Sequence, residues 1–341
     1  MSKVYVGMSG GVDSSLTAAL LVEAGHDVTG VYMKNWTKDM PGMRCPWADD
    51  LADAKRVAVQ LGIDFKVFDF EREYKRKVVD YMIGEYEAGR TPNPDIMCNQ
   101  EIKFKLFLET ALEDGAEFVA TGHYARTEGG RLLLAEDANK DQTYFLYRVE
   151  QAALDKTLFP LGGFTKPEVR KMAVERGLST AAKKDSVGIC FVGQIGMREF
   201  LGQYVKTKPG DIIDKRLSKA VGRHDGAIFY TLGQRHGLDI GGGLPYYVVG
   251  KDMEKNEVYV STDLNDESLW KGELRLSDLH WIGDVPAAGT YTARIRHRAP
   301  LVECRLDTET LTFDDPQRAA TPGQSVVLYD GVVCLGGGII T

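Results

Sequence analysis

The sequence predicts an α/β fold, a doubly wound parallel sheet, followed by a small mixed central unit and a C-terminal antiparallel β-barrel. Three observations predict it. Apolar strand and helix patterns alternate through the first half of the chain, a Gly-rich turn joins the first strand to the first helix, and beyond about residue 272 only short strands remain. Repeated βαβ patterns build parallel sheets covered on both faces, whereas short strands at close spacing build small barrels or sandwiches.

The elements follow in order. Residues 3–8 and 28–33 read as buried strands, with an apolar helix over 14–24 between them. Leu51, Ala54, Ala58 and Leu61 form a helical stripe, followed by a strand over 65–70. Residues 102–114 form an amphipathic helix that leads into a strand over 117–121. Thr165-Lys-Pro-Glu168 is a capping box with proline in the first turn, opening a helix to Arg176. Residues 196–271 are Gly-rich and basic, with a hairpin formed by 246–249 and 257–261. Strands are then expected over 291–298, 301–306, 310–313, 325–329 and 332–335. Units of 1–195, 196–271 and 272–341 result.

At 341 residues the chain has room for two or three domains, and 43% hydrophobic content supplies real cores. No apolar run reaches the ~20 residues that span a bilayer, so no membrane partner is expected. The N-terminus enters a strand at once, with no leader pattern, and a cytoplasmic address is expected. The net charge of −7 weighs against nucleic acid, yet residues 196–251 hold nine Lys/Arg against five Asp/Glu, and Arg294, Arg296, Arg298 and Arg305 cluster. A patchwise-basic RNA binder stays open. Five cysteines, widely spaced and never in a CxxC pair, indicate neither a disulfide framework nor a zinc site.

Gly7-Met-Ser-Gly-Gly-Val-Asp-Ser-Ser15 follows the first strand and opens the first helix. Gly10 and Gly11 let backbone approach a ligand, and a helix N-terminus offers unpaired N–H groups and a positive dipole end. With hydroxyls from Ser9, Ser14 and Ser15 this is an anion cradle suited to phosphate or pyrophosphate; the plainer reading is a tight strand-to-helix turn. Gly122 ends another strand at the same sheet edge and is a candidate nucleotide contact. His123 beside it either faces a partner or is a satisfied loop histidine.

Two cysteines stand in unusual company. Cys98 lies in Gly89-Arg-Thr-Pro-Asn-Pro-Asp-Ile-Met-Cys-Asn-Gln100, where Pro92 and Pro94 argue for a rigid loop and the helix beginning near Ile102 would lower a thiol pKa. Asp95, three residues back, could exchange protons with a bound group. Cys190 lies in Lys184-Asp-Ser-Val-Gly-Ile-Cys-Phe-Val-Gly193, with Lys183 and Lys184 as sources of positive potential. On local evidence each is either a small buried hydrophobe or a reactive thiol.

The string SGGVDSS resembles the PP-loop of N-type ATP pyrophosphatases, which cleave ATP between the α and β phosphates and adenylate a substrate. Together with NPDxxCN, a downstream GICF, Met33-Lys-Asn-Trp36, Lys140-Asp-Gln142, Tyr230-Thr-Leu-Gly-Gln-Arg235 and Cys334-Leu-Gly-Gly-Gly338, the whole chain resembles the tRNA-specific 2-thiouridylase family. It departs from that family's usual STGICF at Val187, and reads Arg296-His-Arg-Ala299 where RYRQ is common.

The resemblance implies a sulfurtransferase that adenylates the C2 carbonyl of the wobble uridine of tRNA, then replaces that oxygen with sulfur to give 2-thiouridine, AMP and pyrophosphate. ATP would lie on Gly7, Met8, Ser9, Gly10, Gly11, Val12, Asp13 and Ser14, with Mg²⁺ near Asp13, Met33 beside the adenine and Gly122 opposite. Cys190 would carry sulfur as a persulfide received from a relay protein fed by a cysteine desulfurase, and Cys98 would act as nucleophile and close a transient disulfide with Cys190. Asn93, Pro94 and Asp95 would frame the flipped base, Asp95 as general acid/base. His123, Lys140, Asp141, Gln142, Arg296, His297 and Gln324 would be further tRNA contacts. The alternative is a PP-loop ligase or amidase-type enzyme that adenylates a small-molecule acceptor and needs no paired thiols.

Overall fold

The structure is a computed structural model, and it describes residues 1–39, 45–184, 196–241, 243 and 245–341. Strands β1 (Lys3–Gly7), β2 (Asp27–Lys34), β3 (Asp64–Asp69), β4 (Phe118–Ala120) and a short strand at Thr157–Leu158 form one parallel sheet in the order β3-β2-β1-β4 and then Thr157–Leu158. Alternation along β1 covers both faces. Val4 and Val6 pack with Leu16 and Ala19 of helix α1 (Val12–Glu23), Val57 of α2 (Trp47–Leu61) and Val169 of the Lys166–Glu175 helix. Tyr5 points the other way, into a core with Val31, Phe107 and Val119. The sheet is therefore doubly wound, as the apolar runs predicted.

Two helical stretches on the Tyr5 face contain π turns. One begins at Glu71–Tyr74, passes through a π segment at Lys75–Val79 and continues as Asp80–Glu87. The other begins at Pro94–Cys98, passes through a π segment at Asn99–Leu106 and ends as Phe107–Glu113. This corrects the expectation of a rigid, non-helical loop up to residue 101. Pro94 occupies the first helical position, where its missing N–H costs nothing, and Asn93 caps the helix by accepting from Asp95 N at 3.1 Å.

The central unit is a four-stranded sheet of Gly210–Asp214, Lys219–His224, Tyr247–Asp252 and Glu257–Ser261, with its own core around Ile212, Tyr230, Val248 and Val258. The last unit is a closed barrel of Trp270–Trp281, Gly289–Arg294, Val302–Asp307, Thr310–Arg318, Ser325–Asp330 and Val333–Ile340, the final strand pairing back onto the first. The Gly336-Gly337 pair is dictated by closure. A Cβ at Gly336 would collide with the His280 carbonyl, and one at Gly337 with that of Val326, so only glycine lets the closing strand pass. A hairpin of the first unit, Arg126–Glu128 and Arg131–Leu133, joins this sheet by pairing Leu133 with Val333 and Leu132 with Cys334.

Candidate active site

The Gly-rich turn runs from the end of β1 into the N-terminus of α1. Gly11 caps α1 without a side-chain acceptor, and Gly10 turns at φ +71 where a Cβ would strike the Asp50 carbonyl. Ser14 Oγ accepts from Ser9 N at 3.1 Å and donates to Gly11 O at 3.2 Å, fixing the loop's curvature. Opposite, a Cβ on Gly122 would come within 2.8 Å of Ser14 N, so glycine there keeps the helix N-terminus open. Ser9 stays exposed, whereas Met8 and Val12 enter the apolar core and can offer only backbone. Ser15 is corrected: its hydroxyl is buried and donates to Gly11 O at 2.8 Å, so it serves the helix rather than an anion. Met33 borders Gly7 at the sheet's edge, its Cε 2.9 Å from where a Gly7 Cβ would stand.

Asp13 is not a solitary carboxylate. Lys166 Nζ donates to both of its oxygens at 2.7 and 2.8 Å, and Tyr124 OH donates to Oδ1 at 3.0 Å. The capping box at Thr165–Glu168 is present, but its lysine has this second task, which sequence reading missed. Asp13→Asn keeps an acceptor for Tyr124 while removing the charge. It is expected to lower AMP formation by about 10²-fold or more with little change in melting temperature; undiminished AMP release would remove this loop from the chemistry.

Cys98 is 3% exposed, in the second turn of its helix, packed with Ile96, Ile102 and Phe104. Asp95 is half-buried, and burial raises its carboxyl pKa against the pull of Lys103. Lys103 Nζ lies 3.4 Å from His123 Nε2, and Thr121 Oγ1 lies 2.8 Å from Nδ1. His123 is buried against Phe104 and Phe159, and burial drives its pKa well below the usual value. With both ring nitrogens engaged, it supports Lys103 from inside. Cys190 and its pairing with Cys98 lie outside the described residues. Lys183 donates to Asp50 and Asp53, each at 2.7 Å.

The Thr121–Tyr124 turn links the two halves of the site. Gly122 abuts the start of α1, Tyr124 holds Asp13, and His123 contacts the lysine that acts on Asp95. Gln142 secures this turn by accepting from Tyr124 N at 2.8 Å. Behind Asn93 and Pro94 all three units meet. Thr91 N donates to Pro322 O at 2.9 Å, and Thr91 Oγ1 lies 3.2 Å from Thr231 Oγ1.

The remaining tRNA candidates divide. Arg296 is exposed on the barrel and donates to Arg318 O at 2.8 Å. His297 packs on the Phe145 ring at 4.3 Å, its pKa pushed down to about 4 by burial and by Arg298 and Arg294, so it is a neutral imidazole in physiological solution. His297 Nδ1 and Gln324 Oε1 are buried without a hydrogen-bond partner among the described residues. Lys140 is half-buried, its N–H donated to Asp137. Asp141 is 2% exposed and accepts from Arg294 Nη1 at 2.8 Å, Thr143 Oγ1 at 2.7 Å and Ala135 N at 2.8 Å. Both Asp141 and Arg294 are therefore interior, each the other's counter-charge.

Family models match in three consecutive blocks: "tRNA methyl transferase HUP domain" over residues 2–194, "tRNA methyl transferase PRC-barrel domain" over 198–262 and "Aminomethyltransferase beta-barrel domain" over 271–340. Similar proteins named tRNA-specific 2-thiouridylase MnmA occur in Neisseria gonorrhoeae, 51% identical over 350 residues, and in Limosilactobacillus reuteri, 49% identical over 359 residues. Each alignment covers 99% of this chain and 95% of the relative. A third, from Geobacillus thermodenitrificans, is 49% identical over 352 residues, covering 99% of this chain and 94% of the relative.

Proposed function

The chain belongs to the tRNA-specific 2-thiouridylase family, and on that premise we propose that it thiolates the wobble uridine of tRNA at the expense of ATP. The observation that supports the reading is the single turn, Thr121–Tyr124, that touches both the anion cradle and the residues around Asp95 and Cys98. Thiolation needs that adjacency. The C2 oxygen of uridine is a poor leaving group until ATP adenylates it, and sulfur must then reach the same carbon.

The cradle at Gly7–Ser14 holds the phosphates, with Ser9 and the first-turn N–H groups as donors. Lys166 and Asp13 face the departing pyrophosphate. A Mg²⁺ beside Asp13 would be carried by the nucleotide's own phosphates and would offset their charge. Asn93, Pro94 and Asp95 receive the flipped base, and Asp95, its pKa raised, moves a proton at the uracil ring. Cys190 carries the sulfane sulfur, supplied as a persulfide by a relay protein. That terminal sulfur attacks C2, and AMP leaves with the C2 oxygen. The Cys98 thiolate then attacks the Cys190 sulfur, the bond to the transferred sulfur breaks, and its electron pair stays on 2-thiouridine. A Cys98–Cys190 disulfide remains for a reductant to reopen. Release of hydrosulfide by Cys98 before attack on C2 balances equally.

We further propose that the boundaries near 195 and 271 divide a catalytic, a connecting and a tRNA-seating unit. No helix among the described residues is long and apolar enough to cross a membrane, and a cytoplasmic site of action goes with the tRNA substrate. The names of two matched family models raise a second reading, methyl transfer to tRNA. Incubation of tRNA with protein, ATP and a persulfide source, followed by mass analysis of nucleosides, separates them. The expected result is 2-thiouridine with one AMP per thiolated base. A methylated nucleoside, or 2-thiouridine without AMP, would overturn the proposal.

A further inference from the structure

The three residues after Cys98 are each tied outward by a side chain. Asn99 Nδ2 donates to Phe145 O at 3.0 Å, Gln100 Oε1 accepts from Arg148 Nε at 2.6 Å, and Glu101 pairs with Lys77. They open a π segment, a hydrogen-bond register that is rare and recurs at functional sites. Slipping to the α register would turn the residues before it about the helix axis, Cys98 among them. The ties hold the register.

One of these ties leads out to the barrel. The Arg148 side chain is only 10% exposed. Beyond Gln100, its Nη1 donates to Asp278 O at 2.9 Å and its Nη2 to the Asp278 carboxylate at 3.2 Å. Asp278 stands at φ +47, within the first barrel strand, where pairing with the last strand slips between Ser277 and His280. A non-glycine residue rarely adopts that conformation, and such strain persists where its surroundings over-determine it. Here the bulge turns both the carbonyl and the carboxylate of Asp278 toward one guanidinium. A planar fork suits that task, with donors aimed in two directions at once. The Asn99 tie runs in parallel, because the Phe145 ring lies against His297 of the barrel.

We propose that Arg148 is a positioning residue for sulfur transfer. It fixes the first π turn, and with it the Cys98 thiol, relative to the barrel surface that carries Arg296 and His297, so that a tRNA seated on the barrel meets the thiol in register. The inference rests on the thiolation reading above.

Arg148→Met keeps an apolar stem beside Tyr147 and removes the fork; Asp278→Ala removes only the carboxylate. Three quantities are measured on the full-length protein: the single-turnover rate of sulfur transfer, tRNA-dependent pyrophosphate release, and the tRNA dissociation constant. Sulfur transfer is expected to fall about 10²-fold in Arg148→Met, the scale of a 1 Å misplacement, and less in Asp278→Ala. Pyrophosphate release and tRNA affinity should stay at the wild-type level. Arg148→Lys should recover part of the rate, since one ammonium can reach Gln100 or Asp278 but not both. Wild-type transfer rates in both Arg148→Met and Asp278→Ala would overturn the proposal. So would a parallel loss of all three quantities, which would mark the contact as structural only. A wild-type protein that forms AMP but no 2-thiouridine would instead defeat the thiolation reading, and this inference with it.

Discussion

Replacing Cys190 with serine is expected to abolish sulfur transfer completely while tRNA-dependent pyrophosphate release, the mark of adenylation, continues, because a hydroxyl cannot form a persulfide. Cys98→Ser should fail differently. It should accept labelled sulfur on Cys190 yet fail to release 2-thiouridine, since no second thiolate attacks the Cys190 sulfur. The other cysteines are internal controls. Cys45, Cys304 and Cys334 are buried, burial raises all three thiol pKa values, and that of Cys304 reaches about 11. Their serine variants should transfer sulfur normally and lose about 1 kcal/mol of stability. The measurement is transfer of labelled sulfur followed by peptide mapping without reductant. Label on Cys98 would invert the two roles; label on neither cysteine would end the two-thiol mechanism.

Arg294→Leu is expected to destabilise the protein by about 3–5 kcal/mol, the cost of stranding one member of a buried ion pair. Asp141 would be left with two hydrogen bonds and no counter-charge in a site closed by Tyr329, Thr143 and the barrel wall. The double variant Asp141→Asn with Arg294→Leu should recover much of that loss. Asparagine still offers an oxygen to Ala135 N, and no buried charge remains. Denaturant unfolding of the two variants provides the check. A cost below 1 kcal/mol for Arg294→Leu, the scale of an exposed pair, would show that the pair is not dry.

Signals that act over a few residues were legible in the sequence. The Gly-rich turn after β1, the capping box at Thr165 and the succession of short strands near the end all stand where the residues placed them. The failures have one physical origin, since each depends on a partner far along the chain. Asp141 and Arg294 look like surface charges until the barrel folds over them. Lys166 reads as the first residue of a helix, and nothing local says that its amine crosses to Asp13. Pro94 misled for another reason: a proline ends one element and starts another with the same chemistry, and the cap on Asn93 decides which. The Trp270–Trp281 strand escaped notice because its bulge at Asp278 breaks the two-residue period.

The pairing of Leu133 with Val333 makes synthesis itself a checkpoint. Ribosomes release a chain from its N-terminus, and most of the nucleotide-binding sheet can pack once Leu158 has emerged. The Arg131–Leu133 edge cannot. It waits two hundred residues for its neighbour, and until then shows unpaired amides to whatever else is newly made. A transcript cut short anywhere before the last strand therefore yields a product with an open sheet edge, a natural target for chaperones and proteases. Only a chain that includes Val333–Ile340 covers that edge.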